Sequence, residues 1–265
     1  MVHVYLKELR KKWFSGIAGP FFVCILVLMI TYIWPEFRDQ ASNFMELLKN
    51  PFYKAFLGQL GLGDISTWQG FFFMEIFLLL EFVLLYVTIF IPVRLISTEI
   101  DKKTLDVTLS YPIPRWRYIL EKFSVYLSYN LLYPILMFVI TYLGTTAINE
   151  SMNYAILSYS LIGVWFMFFA LGALSLLCGT IFLESNKALS AAGVLILGQY
   201  LLERIGGLVE SLRILQNLSL FHYLNAGTIA DLGKLPLNEL FTVAGVGILA
   251  LSSALYIFQK RELTL

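Results

Sequence analysis

Charge is the scarcest commodity in this chain. Of 265 residues, 14% are Asp, Glu, Lys or Arg, against about 25% in a soluble globular protein. Lysine and arginine (19) nearly cancel aspartate and glutamate (18), leaving a net charge of +1. A chain so balanced has no overall field to attract a polyanion, so nucleic-acid binding is excluded as its business. There are two cysteines and two histidines. Cys24 and Cys178 both fall in apolar runs and read as packing residues, with no disulfide framework. His3 and His222 are far apart and lack a Cys or Glu cluster at ligand spacing, so no metal site is expected. A phosphate-binding loop is missing too. Gly227-Thr228-Ile229-Ala230-Asp231-Leu232-Gly233-Lys234-Leu235 comes nearest, but it has five residues between its glycines and no hydroxyl after the lysine.

What is present is apolar. Hydrophobic residues make up 58% of the chain, and the mean hydropathy is +0.76. A helix needs about 20 apolar residues to cross a bilayer, and the gaps between charges supply such lengths. Lys12 to Glu36 leaves 23 uncharged residues, Lys122 to Glu150 leaves 27, Glu150 to Glu184 leaves 33, and Glu239 to Lys260 leaves 20. Asp64 to Arg94 is interrupted only by Glu75 and Glu81, and Lys187 to Glu203 leaves 15. The expectation is an all-α, polytopic integral membrane protein forming a single transmembrane domain over 1–265. Its six spans are placed near 14–34, 68–96, 123–147, 154–183, 187–204 and 239–258, with Glu203 and Arg204 at the interfacial end of the fifth. A β-barrel would alternate in ten-residue segments, which these continuous runs do not. The first run is too long for a signal peptide and lacks a small-x-small cleavage site.

Six spans put both termini on one side. Thirteen basic residues fall on that side, from Lys7, Arg10, Lys11 and Lys12 to Lys260 and Arg261, and six fall on the other. The positive-inside rule then predicts a multi-pass protein of the cell membrane with cytoplasmic termini. Residues 2–13 read as an interfacial amphipathic helix, with Val2, Tyr5, Leu6, Leu9 and Trp13 on one face. A plain basic flank is the alternative. Residues 35–67 form an outer loop. Residues 205–238 are too apolar for a free loop and too broken by glycine for a span, so short outer-face helices are expected before the last span.

The segment between spans two and three is the most informative. Six of the basic residues lie between Arg94 and Lys122. Asp101 or Thr104 can cap a short helix, which Pro112 then stops. A charge-ringed helix carrying Leu105 and Leu109 suits a docking surface for a soluble partner.

That segment resembles the signature of ABC-2-type permeases, the membrane subunits of one class of ATP-binding-cassette transporter. The family pattern is roughly Glu-x₃-Gly-Thr-Leu-x₄-Ser-x-Pro-[Val/Ile]-[Ser/Thr]-Arg, followed by a lysine opening the third span. Glu99, Thr104-Leu105, Ser110, Pro112, Ile113, Arg115 and Lys122 match, while Lys103 replaces the glycine and Pro114 the hydroxyl residue. Lys7-Glu8-Leu9-Arg10 is similar to the family's opening. Leu218-Ser219-Leu220-Phe221-His222-Tyr223 is similar to its Leu-Ser-Pro-Phe-x-Tyr segment. Asn50–Gly58 resembles an outer-loop motif of the branch holding bacitracin-resistance, sodium-exporting and nitrous-oxide-reductase-maturation permeases. The resemblance implies a coupling helix near 104–111, in which Glu99, Thr104, Leu105, Asp106, Leu109, Ser110, Pro112 and Arg115 engage a cytoplasmic ATPase. It implies a homodimer, or a pair with a paralogous permease, with two ATPase copies, ATP and magnesium being held there and no cofactor in this chain. Export by alternating access is the leading expectation. The alternative is a mechanotransmission subunit that couples ATP hydrolysis to an extracytoplasmic partner without moving solute. An ATPase-independent secondary transporter using Glu81 is a third reading, but it has no use for an ordered docking helix.

Glu75 and Glu81 are candidates to line a substrate path, since an intramembrane acid costs roughly 2.5–3.5 kcal/mol on insertion scales and calls for a partner. Their six-residue separation puts them about 120° apart on a helix, so they are not a dyad. Gln69, Tyr86, Thr88, Asn130 and Gln199 are the candidate partners, and hydrogen-bonded packing acids are the competing reading. Ser190, Ala191, Ala192, Gly193 and Gly198 form a small-residue surface fit for a dimer seam or for internal packing. Phe71, Phe72 and Phe73, with Trp165, Phe166, Phe168 and Phe169, read as interfacial belt and lipid-facing packing.

Overall fold

The computed structural model of the chain describes residues 3–38, 66–101, 114–182, 184–208 and 210–261. Its elements are α1 (His3–Lys11), α2 (Trp13–Arg38), α3 (Trp68–Asp101), α4 (Arg115–Asn130), α5 (Leu132–Ala147), α6 (Tyr154–Ile181) and α7 (Ser185–Leu208). A 3-10 stretch (Glu210–Leu218), α8 (Leu220–Tyr223), α9 (Ala226–Leu232) and α10 (Leu237–Lys260) complete it. There is no strand among the described residues. Among the described residues six helical units are long and apolar enough to cross a membrane: Trp13–Arg38, Trp68–Asp101, Arg115–Ala147, Tyr154–Ile181, Ser185–Gly207 and Leu237–Lys260. The chain is therefore an all-α, multi-pass membrane protein.

The third unit is not one straight helix. Pro134 has no N–H to give the carbonyl of Asn130, so the ladder breaks and α4 passes to α5 at Leu131. α4 also begins at Arg115, eight residues before the apolar run expected to start the span.

α6 is the central helix, and α3 and α10 pack along it. Its start is held by Asn153, whose Oδ1 accepts from the N–H of Ala155 (3.1 Å) and Ile156 (3.3 Å). At one end of the bundle Trp34 and Phe37 of α2 pack on Trp68 and Phe71 of α3, with the Phe37–Phe71 rings stacked 4.3 Å apart. Trp34 Nε1 donates to Glu150 (2.8 Å), and Trp68 Nε1 donates to Thr145 (2.9 Å). Phe71, Phe72 and Phe73 are consequently core residues, fully enclosed by their own chain. The lipid-facing reading of these three is corrected: an aromatic run at a helix end looks like a belt, but here the bundle encloses α3 on every side, with Trp34 and Phe37 of α2 covering Phe71.

The other end of the bundle carries both termini. α1 lies along α4: Tyr5 donates its N–H to Glu121 (3.2 Å), Tyr5 Oη bonds Ser128 (2.9 Å), and Tyr129 Oη donates to the carbonyl of Leu9 (2.5 Å). The face of α1 turned inward holds Val4, Tyr5, Glu8 and Leu9, while Leu6 and Trp13 point away. The expected amphipathic helix is present, with Tyr5 and Leu9 turned to α4 and Leu6 and Trp13 left exposed for the membrane interface. Polar contacts with α4, rather than apolar spacing alone, set the rotation of this helix.

Between α7 and α10 the chain folds back on itself as short helices, as the broken apolar pattern predicted. Gly206 makes the return possible, since a Cβ there would come within 2.5 Å of Gln216 Cγ. Ser219 caps α8 and Asn225 caps α9 through side-chain oxygens. Gly233, at φ 63°, closes α9 in the left-handed region that glycine adopts freely.

Candidate functional site

Two polar assemblies stand out in this apolar bundle. The first surrounds the segment between α3 and α4 at the end that carries the termini. Residues 102–113, and with them Thr104, Leu105, Asp106, Leu109, Ser110 and Pro112 and the expected helix near 104–111, lie outside the described residues. Both flanks are described. On the α3 side, Glu99 pairs with Lys122 Nζ at 2.6 Å and accepts the phenol of Tyr118. Lys122 also donates to the carbonyl of Leu95 (2.8 Å), so one buried ammonium ties α4 to the last turns of α3. On the α4 side, Arg115 donates to the carbonyl of Arg261 (2.8 Å). Arg261 in turn donates to the carbonyls of Thr180 (2.8 Å) and Ile181 (2.6 Å). Those carbonyls are end groups of α6 that its own ladder leaves unmatched. Glu121 joins α1 to this platform and is paired with Arg117 at 2.8 Å. The segment therefore springs from two anchors, Glu99 and Arg115, that connect directly to α3, α4, α6 and α10.

The second assembly lies deeper. Glu81 sits 13 residues into α3, about 20 Å along it, and forms an ion pair with Arg204 of α7. The arginine side chain is 7% exposed and the glutamate side chain 20%. The Arg204 guanidinium also lies over the ring of Tyr200, 5.0 Å from its centroid. The preceding residue, Glu203, faces the folded-back segment: its side chain accepts from Gln216 (3.2 Å) and lies 3.4 Å from His222 Nδ1. Two adjacent residues of α7 thus tie that helix to α3 on one side and to residues 216–222 on the other. Glu81 also lines a small cavity with Phe77, Leu84, Met167, Phe221 and Asn225. The folded-back segment accordingly reaches the level of Glu81, well inside the bundle.

None of the partners expected for Glu81 is the one it has. Gln69 accepts from the N–H of Asn153, Gln199 from that of Leu220, and Thr88 donates back to Leu84. Arg204 went unrecognised because the 15-residue apolar run before Glu203 placed it at the membrane surface. Glu75 makes no hydrogen bond or ion pair among the described residues, and it does not join Glu81.

The sequence profile of a family described as "ABC-2 family transporter protein" matches residues 6–263. The chain belongs to the ABC-2 transporter family. It is 28% identical over 202 residues to the uncharacterized membrane protein YdbK of Bacillus subtilis (strain 168), covering 69% of this chain and 79% of that protein. No solved structure matches. Membership identifies this chain as the membrane component of an ABC-2 transporter, which works in general with an ABC ATPase.

Proposed function

We propose that this chain is the permease half of an ABC exporter, driven by a separate cytoplasmic ATPase that holds ATP and magnesium. The observation that carries the proposal is that both flanks of residues 102–113 are anchored, at Glu99 and at Arg115. A push delivered there reaches α3 through Glu99 and Lys122, and α4, α6 and α10 through Arg115 and Arg261. An unconstrained connector would need neither anchor. The residues assigned to ATPase docking are Glu99, Thr104, Leu105, Asp106, Leu109, Ser110, Pro112 and Arg115. With His3, Arg261 and both flanks of this segment at one end, the excess of basic residues there supports a cytoplasmic placement for that end.

The permease works as a dimer, with itself or a paralogue, and binds two ATPases. Gly193, Val194, Leu197, Gly198 and Leu201 of α7 form a small and apolar surface that the chain itself leaves uncovered, which supports a seam there. ATPase closure rocks the two halves and gives alternating access, and the Glu81–Arg204 pair holds α3 and α7 together during that motion.

The test is co-purification of the chain with its ATPase, followed by ATPase assays in proteoliposomes. Leu105→Asp together with Leu109→Asp should abolish stimulation of the ATPase while the permease still purifies as a folded membrane protein. Undiminished stimulation sinks the docking assignment. Stimulation without solute flux moves the reading to mechanotransmission.

A further inference from the structure

α2 and α3 are joined by the aromatic cluster at one end of the bundle, and at the other end a cleft of about 480 Å³ lies between them. Its upper rim is polar: Lys11 and Lys12 from the α1–α2 junction, Arg94 and Glu99 from α3, Lys122 from α4, and Glu8. Two of the four cations are matched. Lys122 pairs with Glu99, and Lys12 lies 3.7 Å from Glu8. Among the described residues Lys11 and Arg94 have no ion-pair partner, and Arg94 overlies the ring of Phe90. The rim is thus left with two exposed positive charges.

Below the rim the wall is aromatic, formed by Tyr86, Phe90, Tyr126, Tyr129 and Tyr133. Gly16 leaves room for the Tyr129 ring, which a Cβ would meet at about 2.5 Å. Asn130 also lines the cleft. It is 2% exposed and belongs to the packed wall behind the tyrosines. The cleft opens at the side of the bundle beside Tyr86 of α3, a lining residue that is 62% exposed. The cations stand at the level where two apolar runs end: Lys12 precedes the first residue of α2, and Arg94 is the first charge after the apolar stretch of α3. In a bilayer that is the headgroup boundary.

We infer that this cleft binds an anionic lipid, its phosphate between Lys11 and Arg94 and an acyl chain along the tyrosine wall. The charge at the rim selects the anion, and the apolar wall selects an amphiphile over a free anion. The inference is independent of any ATPase, because its readout is binding to the permease alone.

The experiment is native mass spectrometry of the delipidated full chain in detergent, offered phosphatidylglycerol or phosphatidylcholine. Wild type should retain phosphatidylglycerol preferentially. Lys11→Gln and Arg94→Gln should each weaken that retention about fivefold, the effect of one basic residue near an anionic surface. Both side chains are exposed, so neither change disturbs the fold, and Lys234→Gln at the far end should leave retention intact. Equal retention of the two lipids overturns the inference, as does retention that ignores both variants. Displacement of phosphatidylglycerol by an equal concentration of inorganic phosphate overturns the assignment of an amphiphile.

Discussion

Lys122 of α4 reaches back to α3, where its ammonium lies 2.6 Å from Glu99 and 2.8 Å from the carbonyl of Leu95. The lysine side chain is almost fully buried, so the pair is shielded from salt and water. Removing one partner from such a pair strands the other charge, at a cost of about 3 kcal/mol. Lys122→Met should therefore lower the thermal unfolding midpoint in detergent markedly. Lys122→Met with Glu99→Gln should recover much of the loss, because no lone charge remains. A double variant no better than the single one contradicts this account.

The Glu81–Arg204 pair makes a parallel prediction inside the bundle. Glu81→Gln and Arg204→Met should each destabilise, and the two together should cost less than their sum by at least 1 kcal/mol in a double-mutant cycle. Additive effects would mean that the two groups do not depend on each other.

Little of that second pair was legible in the sequence. Glu81 was recognisable as an acid in need of a partner, yet Arg204 is 123 residues away and closes a run too short to place it in depth. The six spans were legible, because run length between charges translates directly into helix length. So were the short helices after α7, whose glycines and leucines break one pattern and start another. The burial of Phe71, Phe72 and Phe73 was not, since it depends on other helices closing round α3, such as α2 with Trp34 and Phe37 against Phe71. The docking of α1 on α4 was hidden for a similar reason: Tyr5 and Leu9 meet α4 through hydrogen bonds that hydrophobic spacing does not encode. Glu99 and Arg115 were named from a motif, but only the fold shows Arg115 reaching Arg261.

That last contact yields a further expectation. Arg261→Ala removes charge-assisted bonds to the carbonyls of Thr180 and Ile181, each worth about 1.5–3 kcal/mol. Hydrogen exchange of amides over 176–181 should accelerate, while exchange in the first turns of α6, near Asn153, should stay as it was. Uniform exchange across α6 would refute a local role for this arginine.

Gly206 offers a test of the fold-back. Its Cβ position faces Gln216, which Glu203 holds in place. Gly206→Leu should overpack the turn by about 1–3 kcal/mol and expose residues 210–232 to limited proteolysis. Protection equal to wild type would show that the return of the chain does not depend on that contact.

The aromatic joint between α2 and α3 has a mechanical consequence. Two rods clamped at one end and apart at the other can change their spacing at the open end while the clamp scarcely moves. The stacked rings of Phe37 and Phe71, with Trp34 and Trp68, are such a fulcrum. The near half of α2 is tied through α1 to α4, whereas the last turn of α3 meets α4 through Glu99. The width of the gap is thus set by how α4 and the end of α3 stand relative to each other, and Lys122 is the brace that fixes that angle.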